Sequence, residues 1–259
     1  MANLSQALPT WWRNRVLLTR PWHKPRLIAH ATIWSACSLG IACLFGPNSI
    51  AAEQGSAAPK AERGSILVLG DSLAAGYGLE PAQAFPALLQ EKIDRADLPF
   101  EIINAGLSGD TSAGGRRRLD WLLKRKVDVL VLELGGNDGL RGLSPETTKT
   151  NLQAIIDRTQ AKYPKVKILI AGMQMPANMG PEYVKGFRQI FFDLARTNHA
   201  ALIPFLLEGV GGRSELNLPD RIHPTAEGQK IVAENVWKVL KPLLHAAESD
   251  APRQGNEHG

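Results

Sequence analysis

The chain has 259 residues and a formal net charge of +5, from 30 Lys/Arg against 25 Asp/Glu. Five of the cations (Arg13, Arg15, Arg20, Lys24, Arg26) and none of the carboxylates fall in residues 1–52, so residues 53–259 hold 25 of each sign. A body with no net charge has no general field to attract phosphates, so the basic balance is no argument for nucleic-acid binding, and none is expected.

The basic stretch is followed by an apolar run, Leu27 to Phe45, then Gly46-Pro47 and the small-residue stretch Ser49-Ile50-Ala51-Ala52. A basic n-region, an apolar h-region and a small-x-small site describe a secretory signal peptide. The run also approaches the ~20 residues that span a bilayer, so an uncleaved anchor is the alternative. The cleavage-site pattern favours a signal, and with it export, into a periplasm in a bacterial cell. An inner-membrane anchor would make this segment the only membrane attachment. Cys43 does not read as a lipidated cysteine, since Gly40-Ile41-Ala42 lacks a leucine three residues upstream. Both cysteines, Cys37 and Cys43, lie in this leader. The body therefore has no disulfide, thiolate metal site or cysteine nucleophile. Its roughly 190 residues are enough for one apolar core.

Residues 53–63 read as a linker and 248–259 as a frayed polar tail, leaving a domain over 64–247. A strand is expected over Ile66–Leu69, and Gly70-Asp71-Ser72-Leu73 follows it directly. The backbone turns at a glycine there and presents Ser72 at the strand's carboxyl edge, where open α/β sheets keep their ligand crevice. Asp71 reads as a turn carboxylate that bonds nearby backbone. A helix over 84–94 leads to a strand over 100–104 and then to Ser108-Gly109-Asp110-Thr111. The next helix, 112–126, carries Arg116-Arg117-Arg118, which reads as a solvated face. The strand 127–134 contains the unbroken apolar run Val129-Leu130-Val131-Leu132, as expected for a strand covered on both faces. Gly135-Gly136-Asn137-Asp138 follows it. A helix over 145–163 and a strand over 166–172 come next. The methionines other than Met1 then fall within seven residues: Met173, Met175 and Met179.

The last elements are a helix over 181–198, a strand over 201–204 and a helix over 225–244. Asp220-Arg221-Ile222-His223-Pro224 precedes that final helix. Proline keeps His223 out of the α conformation. An aspartate three residues away can reach its Nδ1 and leave Nε2 free for a hydroxyl. His199 follows a helix and His245 lies near the tail, so among the body's histidines His223 alone sits in a strand-to-helix loop. The alternation of strands and helices predicts a parallel five-stranded sheet with right-handed crossovers in a three-layer α/β/α sandwich.

Four blocks in this order, Gly-Asp-Ser-Leu at 70–73, Gly109, Gly-Gly-Asn-Asp at 135–138 and Asp-x-x-His at 220–223, resemble the SGNH (GDSL) hydrolase family. The likeness covers 65–245. Leu134 to Gly142 and Met175-Pro176-Ala177-Asn178-Met179-Gly180 are similar to the family's multifunctional bacterial branch, which acts on aryl esters, lysophospholipids and acyl thioesters. The resemblance implies a flavodoxin-like sheet. It implies Ser72 as nucleophile, His223 as general base and Asp220 as its orienter. An oxyanion would be held by the N–H groups of Ser72 and Gly109 and by the Asn137 side chain. Substrate contacts are expected on Met175, Pro176 and Met179, since methionine adapts to irregular apolar ligands; Met173 and Met175 equally read as finishing a strand into the core, so Met179 is the stronger contact. The expected partners are small acyl esters or thioesters, lysophospholipids among them. No cofactor is required, and a monomer is expected.

The α/β-hydrolase elbow G-x-S-x-G fails at Ala74, and no His/carboxylate cluster has metal-ligand spacing. Two other readings share the fold: a carbohydrate O-acetyl esterase of the cell envelope and a non-catalytic lipid-binding protein.

Overall fold

Five parallel strands lie in the order β2-β1-β3-β4-β5: β1 (Gly64–Gly70), β2 (Phe100–Gly106), β3 (Val129–Glu133), β4 (Lys167–Ala171) and β5 (Ala201–Ile203). The structure is a computed structural model that describes residues 63–249. The expected leader lies outside the described residues, as do most of the linker and of the tail. β1 and β3 are apolar throughout their centres because helices cover both faces; Ile66, Val68, Val129, Leu130 and Val131 are all fully buried. Each such side chain contributes about 1.5–3 kcal/mol of burial.

Among the described residues seven helices frame the sheet: α1 (Ser72–Ala75), α2 (Phe85–Arg95), α3 (Ser112–Leu122), α4 (Gly136–Leu140), α5 (Pro145–Lys162), α6 (Pro181–Thr197) and α7 (Ala226–Ser249). α2 packs with α7, while α3, α5 and α6 form a second row. The chain moves from β1 to one side, into β2, and then returns past β1 to β3. Right-handed crossovers carry the helices of the two directions to opposite faces, and a crevice opens where the direction reverses. Register sharpens this: Gly70, the last residue of β1, aligns with Gly106 of β2 and with Glu133 of β3. The loops that follow these three strands therefore meet at one level.

The longer elements stand within a few residues of the sequence-based bounds. α3 stops at Leu122 rather than 126, because the chain must turn before β3. α1 and α4 were not expected. They are single turns of four and five residues, too short to show any helical period, and they carry Ser72 and Asn137.

Candidate active site

Ser72 opens α1, and Asp71 caps it by accepting the Leu73 N–H at 3.0 Å. As first residue of that turn, Ser72 has an N–H with no partner inside the helix. The turn fits under the sheet edge only because its neighbours are glycines. A β-carbon on Gly70 would lie 2.4 Å from Glu133 Oε2, and one on Gly106 would lie 2.3 Å from the Ala75 nitrogen.

His223 arrives from the far end of the chain. Its Nε2 is 2.8 Å from Ser72 Oγ, and its Nδ1 is 2.7 Å from Asp220 Oδ2. The loop is held by its own backbone: Asp220 Oδ1 accepts the N–H groups of Ile222 and His223, and the His223 carbonyl accepts the Leu218 N–H. Arg221 takes a left-handed conformation (φ 59°) to make that bend. Burial works against charge on Asp220. The two N–H groups and the His223 ring outweigh it and hold the carboxyl down at about 2. Tyr77 lies over the imidazole with ring centroids 4.4 Å apart. Gln229 of α7 clamps this side, accepting the Phe85 N–H at 2.9 Å and donating to the Leu73 carbonyl at 3.2 Å.

Asn137, on α4, donates from Nδ2 to Asp71 Oδ2 at 3.1 Å and to the Asp110 carbonyl at 2.9 Å. It thus ties the turn that carries Ser72 to the loop after β2. Gly109 sits in that loop with φ +79°, and no atom lies within 4 Å of where its β-carbon would be. Its carbonyl accepts Arg141 Nη2 at 3.0 Å, while its N–H has no partner among the described residues. Asp138 is fully buried and accepts the Ser112 N–H at 2.8 Å, which pins α3 to α4. The structure therefore links Ser72, His223 and Asp220 by hydrogen bonds and ties Asn137 to Asp71, the neighbour of Ser72, with Gly109 in the adjoining loop.

Two expectations change. Arg118 is not part of a solvated face. Its guanidinium donates to Asp110 at 2.7 Å, the Ala105 carbonyl at 2.7 Å and the Gly70 carbonyl at 2.9 Å, lacing the ends of β1 and β2 to the Gly109 loop. Met175 belongs to the core under α4, 6 % exposed, where a β-carbon on Gly139 would be 2.2 Å from its Sδ. Pro176 is exposed and Met179 half-buried, in the short 3-10 turn Ala177–Met179 and its approach.

The sequence reading also missed Glu133. This carboxylic acid is fully buried at the end of β3 and accepts the Asp71 N–H at 3.0 Å. Burial raises Asp71 to about 6, and burial followed by the charge of Asp71 raises Glu133 well above the usual carboxylate range. The signal was an acid breaking the run Val129–Leu134.

The GDSL-like Lipase/Acylhydrolase family model matches residues 68–231. The esterase TesA of Pseudomonas aeruginosa is 43% identical over 181 residues, 70% of this chain and 89% of that protein. The thioesterase 1/protease 1/lysophospholipase L1 of Escherichia coli is 38% identical over 182 residues, 70% of this chain and 85% of that one. The crystal structure of the psychrotrophic esterase EstA from Pseudoalteromonas sp., inhibited by monoethylphosphonate, matches with TM-score 0.66 and 35% identity, over 70% of this chain and 98% of that one.

Proposed function

This chain belongs to the GDSL-like Lipase/Acylhydrolase family, and from that premise we propose that it hydrolyses carboxylic esters and acyl thioesters through an acyl-enzyme on Ser72. One observation carries the reading: Ser72 Oγ, His223 Nε2 and Asp220 Oδ2 form a continuous chain of 2.8 Å and 2.7 Å contacts. A serine hydroxyl is a weak nucleophile until a base stands within hydrogen-bond reach and a third group orients that base.

His223 takes the hydroxyl proton as Ser72 Oγ attacks the acyl carbon. Asp220, ionised through the working pH range, holds the imidazole with Nδ1 protonated and steadies the imidazolium that forms. The carbonyl oxygen becomes an oxyanion facing the N–H groups of Ser72 and Gly109 and the Asn137 amide. Each such donor is worth about 3 kcal/mol at the transition state. His223 then gives its proton to the departing alcohol or thiol. A water activated by the same nitrogen releases the acid. Every step uses groups of the chain itself.

Apolar substrates are supported by the rim. Among the described residues six large hydrophobics are exposed, and five of them (Tyr77, Leu107, Leu140, Leu143 and Ile222) lie in α4 or in the segments after β1, β2 and α4 and before α7. Apolar side chains on the segments that carry the site give an acyl chain apolar surface to cover. Relatives named thioesterase 1/lysophospholipase L1 and arylesterase favour aryl, lysophospholipid and thioester substrates alike. The basic and apolar leader supports export into a periplasm, which fractionation with N-terminal sequencing of the mature chain checks.

The test is hydrolysis of a series of p-nitrophenyl esters by wild type and Ser72→Ala. Wild type should be active from acetyl to octanoyl and become labelled at Ser72 by a fluorophosphonate. Ser72→Ala should be inactive yet folded. Turnover retained by Ser72→Ala would refute the nucleophile assignment, and strict acetyl preference would point to a carbohydrate O-acetyl esterase instead.

A further inference from the structure

Behind the nucleophile turn lies a carboxyl group that the hydrolytic steps above do not use. Glu133 has no exposed surface, and its Oε1 is the one buried side-chain oxygen or nitrogen among the described residues without a hydrogen-bond partner. Its Oε2 accepts the Asp71 N–H at 3.0 Å. The same carboxyl lies against the carboxyl of Asp71, near enough for the two to share a proton. Among the described residues no Lys or Arg side chain bonds either group, and the charge of His223 acts on Asp71 without bonding it. Two buried carboxylates in contact without a cation cannot both be ionised, so they share a proton.

The surroundings decide which one holds it. Asp71 already accepts the Leu73 N–H at 3.0 Å and the Asn137 amide at 3.1 Å, both of which favour its charged form. Glu133 has backbone donors too, the Asp71 and Ala74 N–H groups, but complete burial and the Asp71 charge outweigh them, and its Oε1 has no donor. A carboxylate with a bare buried oxygen is costly, whereas a carboxylic acid donating to Asp71 is not.

We propose that Glu133 is a positioning residue held as the neutral acid, whose proton bonds Asp71 and keeps the Asp71 carboxylate aimed at the Leu73 N–H and the Asn137 amide. Ser72 and Asn137 are thereby fixed relative to one another, one on each side of the place where the oxyanion develops. Proton sharing supplies the rigidity a bare pair of charges would destroy. The proposal rests on the reading of Ser72 as nucleophile and Asn137 as an oxyanion donor.

Two substitutions and one spectrum test it. Glu133→Gln keeps an acceptor for the Asp71 N–H and a donor for the Asp71 carboxylate, with no proton to lose. It should retain at least about a third of the wild-type kcat on p-nitrophenyl butyrate. Glu133→Leu keeps neither bond, and its kcat should fall about 30-fold with KM within twofold, because the positioned groups act on the transition state. Difference infrared spectra of the wild type at pH 7 should show the carbonyl band of a buried protonated carboxyl, missing in Glu133→Gln. A Gln variant as impaired as the Leu variant would mean that a charge is needed at 133, and the proposal would fall. An absent band would overturn it equally, as would an unimpaired Leu variant. Should Glu133→Leu not fold, the Gln variant and the band still decide. The band is read without substrate, so an error in the nucleophile assignment, seen as an active Ser72→Ala, leaves it unaffected.

Discussion

Asn137 donates to the Asp71 carboxylate at 3.1 Å from the same nitrogen that donates to the Asp110 carbonyl at 2.9 Å. Both amide hydrogens are therefore engaged in the resting protein. To serve an oxyanion, one of them must be shared with it, so part of the gain is offset by a weakened resting bond. We expect Asn137→Ala to lower kcat about 100-fold, the lower end of what removing one such donor costs. KM should stay within about threefold, since a ground-state carbonyl gains little from this amide. Steady-state kinetics on p-nitrophenyl butyrate checks this, and a loss confined to KM would contradict it.

Asp220 makes a different demand. It faces His223 Nδ1 at 2.7 Å, and its carboxyl is held down at about 2 by the His223 and Ile222 N–H groups and the imidazole. A lowered carboxyl contributes stability above its ordinary range that is lost as pH falls toward that value. Its own titration therefore leaves catalysis untouched at any pH above about 4. Asp220→Asn should lower kcat by about 100-fold or more at every pH from 6 to 9, because an amide can stabilise the wrong imidazole tautomer and no imidazolium. A variant that recovered wild-type kcat at high pH would show that Asp220 acts only as a charge on His223.

How far the sequence went depends on how each residue signals. The strands were legible because a parallel strand under helices on both faces is an unbroken apolar run, as in Val129–Leu132. Asp220 and His223 were legible because they share one loop. Ser72 and Asn137 were visible as motif letters, but the one-turn helices that carry them have no period to read. The Asp71 reading was half right: it does bond the Leu73 N–H, yet it also holds Asn137 and meets Glu133. Glu133, Arg118 and Gln229 act through partners 62, 48 and 156 residues away. No local pattern encodes such pairs.

Arg118 shows what that missed information is worth. Its side chain is 23% exposed and answers Asp110 together with two strand-end carbonyls. Breaking a fully buried pair costs about 3–5 kcal/mol; with this partial exposure about 2–3 kcal/mol is expected for Arg118→Met. In a domain of this size that lowers Tm by about 6 °C. The Gly109 loop should loosen with it, so kcat should fall further than the stability loss explains at 25 °C. Calorimetry alongside kinetics separates the two, and an unchanged Tm would return Arg118 to the role of a surface cation.

The carboxyl pair gives the last prediction, and its sign is opposite to that of Asp220. Burial raises Asp71 to about 6 and, with the Asp71 charge, raises Glu133 well above the usual carboxylate range. The folded protein then holds protons that the unfolded chain releases between the ordinary carboxylate range and those raised values. Stability from this pair is fully present below the unfolded values and is lost as pH rises through 6 and beyond. Glu133→Gln removes the group that burial and the Asp71 charge raise well above the usual carboxylate range. Urea unfolding of the wild type should therefore show a midpoint that falls between pH 5 and pH 8, with a shallower fall in Glu133→Gln. The two curves should approach one another toward the acid end, where Glu133 becomes protonated in the unfolded chain as well. Parallel curves across that range would mean that Glu133 is ionised in the folded protein and that something other than a shared proton holds Asp71 in place.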